Sequence, residues 1–485
     1  MSLLTPATGT APATAPAARP ATGTAPATAP AARPATGTAP ATGTAPATAP
    51  GAPATAPAAR PDTGNRFSAF VRRTSQAGGL VVQPRMGFAE IPVMRDGLLG
   101  VRAARAASVG TVTLDSYTRV NDHDSAREAL RTGADLNGFP LVAHGADATT
   151  AMLAGVAGPD FPVQVRHGSA LPYPLFEAMV EAGIDATEGG PVSYCLPYSR
   201  VPLTEAVDAW SRCCELLAAQ ERQMHLESFG GCMLGQLCPP GLLVALSVLE
   251  AMFFAEHGLR SISLSYAQQT HAGQDLEALA ALRRLAGERL SGLDWHVVLY
   301  TYMGVYPRTP VGSFRILEDS ARLAVRSGTE RLIVKTPAEA HRIPTVQENV
   351  DALEFAAYVA DDEARHGRPH QATETGVYEE ARMLVDSTLD LAPTVGAALV
   401  AAFARGHLDV PYCLHLDNAN RARAFVDPRG LLRWGDPGAM PVTADPAAAR
   451  RPLSAQGLID MLGYNERRFD REQLTRVNHP QGSLT

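Results

Sequence analysis

Lys335 is the only lysine in a chain of 485 residues that carries 42 Lys plus Arg, so every other basic side chain is arginine. On a solvated face either cation serves, and a surface so dominated by arginine has exchanged its lysines freely. Position 335 has not. It ends the apolar run Arg331-Leu332-Ile333-Val334, which reads as a buried parallel strand. An ammonium there is a compact charge whose pKa moves on burial, suited to holding an anion or to Schiff-base work; a core salt bridge is the structural alternative. Similar polar breaks follow other apolar runs: Asp115-Ser116-Tyr117-Thr118-Arg119, Arg166-His167-Gly168, Glu188-Gly189-Gly190, Glu227-Ser228-Phe229-Gly230 and Tyr266-Ala267-Gln268-Gln269. Arg119 and Arg166 offer planar forks for carboxylates, and Glu188 offers an anion for an ammonium, so the set fits an amino acid with a second carboxylate. The structural alternative pairs Arg119 with Asp115 or Asp122, and Arg166 with Glu188.

Residues this far apart meet only if the strands that end in them run in parallel around a common axis. From Gly79 onward, short β-rich runs alternate with alanine-rich helical stretches such as Gly241–Glu256 and Leu276–Arg289. The candidate strands are Leu80–Gln83, Val109–Leu114, Pro140–Ala143, Val163–Val165, Asp185–Glu188, Met224–Leu226, Ile262–Ser265, His296–Tyr300 and Leu332–Val334. These are nine candidates for the eight positions of a (β/α)8 TIM barrel, an α/β fold whose chemistry sits where the strands end. The barrel is expected over 65–365, with a smaller C-terminal α+β extension over 366–485.

Composition narrows the function classes. Residues 1–64 are an Ala/Thr/Pro/Gly repeat in which Pro6–Arg19 recurs unchanged as Pro20–Arg33, a composition with almost nothing to bury and therefore expected to be disordered. It lacks the features of a secretory leader. The net charge is −7; Arg19, Arg33, Arg60 and Asp62 contribute +2, leaving −9 on the remainder, which argues against a nucleic-acid partner. No apolar run reaches membrane-spanning length. Six cysteines without a CxxC pair fit a reducing cytoplasm. His123, His144 and His167 lack metal-ligand spacing, and no metal site is expected.

Taken together, Gln83-Pro84-Arg85, Asp115-Ser116-Tyr117-Thr118-Arg119, Leu136-Asn137-Gly138-Phe139-Pro140, Gln164-Val165-Arg166-His167-Gly168, Glu188-Gly189-Gly190, Ser193-Tyr194, Pro197-Tyr198 and Val334-Lys335-Thr336-Pro337 resemble the epsilon chain of glutamate mutase, or methylaspartate mutase. The resemblance runs from about Gly79 to about Val442. It implies a barrel subunit that uses adenosylcobalamin, together with a small cobalamin-binding partner, to interconvert L-glutamate and threo-3-methylaspartate by a radical rearrangement. By that resemblance, Arg119 and Arg166 hold substrate carboxylates, Glu188 holds the ammonium, Tyr194 and Tyr198 line the pocket, and Lys335 and Glu339 contact the adenosyl group. Glu188 and Lys335 are the catalytic candidates, and the chain is expected to form a homodimer.

The small partners of this family carry an Asp-x-His-x-x-Gly motif whose histidine is the lower axial ligand. Asp294-Trp295-His296 begins like it but reaches Leu299 where glycine belongs, so it is expected to be structural. Glutamate-specific members place a third substrate-holding arginine after the Asn-Gly-Phe-Pro strand, whereas here no arginine lies between Arg131 and Arg166. That departure predicts a glutamate-like substrate with one carboxylate missing or masked. Two other classes remain: a barrel lyase or aldolase with Lys335 as Schiff-base nucleophile, and a barrel without catalysis that serves as a binding subunit.

Overall fold

The computed structural model describes residues 64–233, 237–368, 372–444 and 454–478. The tail expected to be disordered lies outside the described residues as far as position 63. Eight parallel strands follow: β1 Val81–Gln83, β2 Gly110–Thr113, β3 Val163–Arg166, β4 Ala186–Gly189, β5 His225–Ser228, β6 Ser261–Ala267, β7 Asp294–Tyr300 and β8 Arg331–Ile333. Their order is β1-β8-β7-β6-β5-β4-β3-β2. The remaining seam, between β1 and β2, is stitched by Val82 N donating to Ala107 O at 2.9 Å and Val109 N to Val82 O at 3.3 Å. The sheet therefore curls into the expected (β/α)8 barrel.

The ninth candidate strand is not one. Leu141–His144 forms a single helical turn, with Pro140 at its N-cap. Proline brings no ladder donor, so pairing stops at the lone bridge between Phe139 and Leu114. Gly138 lets the chain pass that close, because a Cβ there would stand 2.6 Å from the Leu114 carbonyl.

The helix Pro240–Glu256 is apolar on every side and buried along almost its whole length. It faces the barrel on one side and is covered on others by the extension helices Val377–Leu389 and Val395–Arg405. The extension continues with the antiparallel hairpin β9 Arg423–Val426 and β10 Leu432–Asp436, then helices Ala455–Leu462 and Tyr464–Asn478, giving the expected α+β composition. Val346–His366, opened by a reciprocal Thr345/Glu348 capping box, closes the helical ring against Ile91–Ala103 and Pro310–Ser327.

Barrel interiors are commonly filled by branched apolar side chains. This one holds a polar column. Arg331 on β8 is fully buried and ion-pairs with Glu227 on β5, and it also donates to Gln83 Oε1 and, at 3.1 Å, to Ser263 Oγ. Gln83 Nε2 in turn donates to Gln164 Oε1 at 2.7 Å and Thr111 Oγ1 at 2.9 Å. His225 stacks on His296 at 5.2 Å, and burial with the Arg331 charge drives its pKa to about 3. A charge in such a place survives only if paired. Arg331→Ala is predicted to cost about 3–5 kcal/mol of unfolding free energy, read from denaturant midpoints, because it strands Glu227. A loss under about 1 kcal/mol would mean that Glu227 finds another partner.

Candidate active site at the barrel mouth

Glu188 sits at the end of β4 and is 1% exposed. Its Oε2 accepts from Arg166 Nε and from Tyr300 Oη, both at 2.8 Å, and its Oε1 accepts from the Tyr194 hydroxyl. Arg166 ends β3, is nearly as buried, and lies 5.2 Å over the Tyr300 ring. Burial opposes its charge, but Glu188 beside it prevails and holds the guanidinium pKa above its ordinary value. The Tyr300 hydroxyl also lies within hydrogen-bonding reach of Glu227, so the two carboxylates share its single hydrogen and the polar column of the interior runs up into the mouth.

Arg119 reaches the same place by a different route. Asp115 caps the short helix Ser116–Arg119, accepting from Tyr117 N at 2.8 Å and Thr118 N at 3.1 Å, and is thereby spent on the backbone. Arg119 consequently pairs with neither Asp115 nor Asp122: its Nε donates to Leu114 O at 2.9 Å, and it makes no ion pair among the described residues. Burial lowers its pKa, and the Arg166 and Arg85 charges push in the same direction. Of the two structural pairings the sequence leaves open, only the one between Arg166 and Glu188 forms.

Lys335, two residues beyond β8, is 6% exposed. Its Nζ donates to Tyr302 O at 3.4 Å and stands 4.1 Å from the centre of the Tyr306 ring. Burial brings its pKa down to about 8, with Arg85 adding to the effect and Glu339 opposing it. Glu339 accepts from Thr336 N at 3.1 Å and pairs with Arg85 Nη1 at 2.8 Å. Arg85, just past the end of β1, thus adds positive charge both to the arginine group and to the lysine. Its Nε is buried without a partner.

Tyr194 is buried, whereas Tyr198, 6.0 Å away ring to ring, is 53% exposed toward the opening. His167 lies flat on Trp210 at 5.9 Å, and burial with the Arg119 charge takes its pKa to about 3, so it stays neutral and cannot act as an acid near pH 7. His144 spends its Nε2 on Ala89 O at 2.8 Å. No cluster of His, Cys, Asp and Glu among the described residues could hold a metal ion, and no helix there is long and apolar enough to cross a membrane.

Sequence reasoning assigned no role to Arg85, Tyr300 or Tyr302. Arg85 carries the same signal as Arg119, a cation just after an apolar run, but a Pro-Arg pair after so short a run does not by itself mark a strand end. The tyrosines end or follow an apolar strand and look like core. Because Lys335 is the sole lysine, lysine labelled with 13C at Cε gives one side-chain signal. Its titration is predicted to be centred near pH 8, moving up in Arg85→Ala, which removes a like charge, and down in Glu339→Gln. A midpoint near the ordinary lysine value of about 10.4 would show the pocket to be wet.

The chain matches the family model described as methylaspartate mutase E chain over residues 61–457. It is 30% identical to the glutamate mutase epsilon subunit of Yersinia enterocolitica, across 69% of this chain and 72% of that one. With the epsilon subunit of Desulfitobacterium hafniense it shares 31% identity over 78% and 81% of the two chains, and with that of Halobacterium salinarum 30% over 72% and 74%. The family match spans the strand ends that carry Arg119, Arg166, Glu188 and Lys335, and with these relatives it shows that this chain belongs to the methylaspartate mutase E chain family, a family of mutase subunits.

Proposed function

We propose that this chain is the catalytic barrel of an adenosylcobalamin-dependent carbon-skeleton mutase that interconverts L-glutamate and threo-3-methylaspartate. The observation that carries the reading is the convergence of Arg85, Arg119 and Arg166 on one mouth with Glu188. Arg119 has no ion pair among the described residues, so its fork is available to a substrate carboxylate. Arg85 holds Glu339 through Nη1 alone and has donors to spare for the second. Arg166 is already committed to Glu188 and serves chiefly to keep that carboxylate charged and aimed. Glu188 accepts from Arg166 and Tyr194 and shares the single Tyr300 hydrogen with Glu227, so of the roughly four positions a carboxylate offers at least one is left for the substrate ammonium. With Arg85 counted, the mouth carries cations for both carboxylates of free glutamate, and the prediction of a masked carboxylate loses its basis.

The second half of the mouth suits a nucleoside. Lys335 and Glu339 supply a cation and a carboxylate with unspent lone pairs, and the buried hydroxyl of Tyr302 and Nε of Arg85 lack partners. These groups fit the hydroxyls and ring of an adenosyl moiety. When bound, adenosylcobalamin supplies homolysis of its cobalt–carbon bond, and with it the means to remove an unactivated hydrogen atom. The residues of this chain fix the substrate by three charged contacts and keep water from the reacting carbon.

The cobalamin itself needs a partner. His296, the only histidine in a motif resembling the axial one, is 4% exposed within β7, stacked on His225 and accepting from Arg331 Nε at 3.3 Å. A small subunit bearing Asp-x-His-x-x-Gly is therefore proposed to cap the mouth of each chain in a homodimer. The rim suits it: Tyr117, Val120, Tyr198, Val305 and Ile343, exposed by 38–70%, all lie in the connections that follow strand ends. The six buried thiols suit a reducing cytoplasm.

The test is reconstitution with such a partner. Methylaspartate should form from L-glutamate only when both chains are present, and Arg85→Ala should raise the KM for glutamate by roughly ten- to a hundredfold. Lys335→Ala and Lys335→Arg should both turn over poorly, since a broad fork does not replace a point charge. Tight, histidine-ligated cobalamin on this chain alone would exclude the shared site. The lowered pKa of Lys335 also suits a Schiff-base lysine; borohydride trapping of a substrate adduct on it would favour that lyase reading instead.

A further inference from the structure

Glu250 is fully buried in the largely apolar helix Pro240–Glu256, and among the described residues it pairs with no cation. Burial pushes its pKa up to about 7. Keeping a carboxyl group there is costly, so what it holds must offset the cost. Its Oε1 accepts from Val192 N at 3.1 Å and Ser193 N at 2.8 Å, and its Oε2 accepts from Ser193 Oγ at 3.0 Å and Ser228 Oγ at 3.1 Å. The first three donors belong to the loop after β4, immediately before Tyr194; the fourth is the last residue of β5. The backbone of the loop is shaped around this carboxyl group. A Cβ on Gly190 would stand 2.1 Å from the Glu250 carboxyl, and one on Gly189, whose φ is +134°, would stand 2.3 Å from the Trp210 ring. The paired glycines of Glu188-Gly189-Gly190 are thus the imprint of Trp210 and Glu250 pressing on the loop from outside the barrel.

We infer that Glu250 is a positioning residue for the substrate-ammonium pocket: by fastening Val192 and Ser193 it sets the Tyr194 hydroxyl on Glu188, and so fixes where that carboxylate points. The inference rests on the reading of Glu188 as the ammonium partner. Tyr194 touches Glu188 directly, whereas Glu250 acts only through the loop.

The experiment compares Glu250→Ala, Glu250→Gln and Ser193→Ala in the reconstituted enzyme, with glutarate, the five-carbon dicarboxylate without an amine, as a competing ligand. Glu250→Ala should raise the KM for glutamate about tenfold or more while kcat falls by less than about threefold and the glutarate Ki stays within about twofold. Gln should recover most of the loss, because its oxygen can accept from both backbone amides while its NH2 donates to the serine hydroxyls. Ser193→Ala, the gentler change, should raise KM about threefold. A folded Ala variant with unaltered KM, or one in which KM and the glutarate Ki rise together, overturns the inference. If the wild-type pair does not turn over glutamate at all, the mutase reading fails by itself. Glu250 is then judged from a crystal structure of Glu250→Ala, where a Tyr194 hydroxyl still bonded to Glu188 overturns it and a displaced loop supports it.

Discussion

One tyrosine hydroxyl joins two buried ion pairs, and the site depends on that junction. Tyr300 faces Glu188 on one side and Glu227 on the other, yet it has a single hydrogen to give. Each carboxylate must therefore be secured by other groups as well, and each is: Glu188 by Arg166 and Tyr194, Glu227 by Arg331, Ser263 and Gln164. Burial by itself would raise the Glu227 pKa, but Arg331 and the Tyr300 hydroxyl hold it below the ordinary range. Two charges of each sign are thus carried inside a barrel that is usually apolar, and none can be removed alone without exposing its partner to a medium that does not solvate it.

The same logic orders the mouth. From the interior outward the arginines are graded from committed to free: Arg331 and Arg166 are spent on carboxylates, Arg85 is partly spent on Glu339, and Arg119 has no anion among the described residues. On the proposed reading, a dianionic amino acid entering the mouth would meet preorganised cations whose mutual repulsion it relieves, while its ammonium end would find a carboxylate whose remaining lone pairs are few and fixed. Discrimination against ligands of the wrong charge would then follow without any moving part.

Much of this was legible in the chain. Strand-end chemistry could be read because polarity breaks abruptly after each apolar run, and the barrel geometry then converts separate breaks into one site. Pro140–Ala143 reads equally well either way, because a four-residue apolar stretch looks alike as a strand or as one turn of helix. The interior column was not legible, since Arg331 lies 248 residues from Gln83 and 104 from Glu227, and each polar residue taken singly looks like local variation. Glu250 left a fainter sign: a carboxylate in the middle of a helix apolar on all sides has to find donors somewhere. Its backbone donors lie 57 and 58 residues back in the loop after β4, which only the folded chain brings alongside.

The solitary lysine has a chemical corollary. On most proteins acylation, glycation and carbamylation are diluted over dozens of surface amines. Here the arginines that cover the surface are far less open to acylation and carbamylation than amines are, and the one lysine ε-amine is Lys335, whose lowered pKa favours its reactive neutral form. Acylation of a lysine side chain, when it gets past the burial, therefore lands in the mouth. The same fact makes an amine-directed reagent a single-address probe of whether the mouth is open or closed.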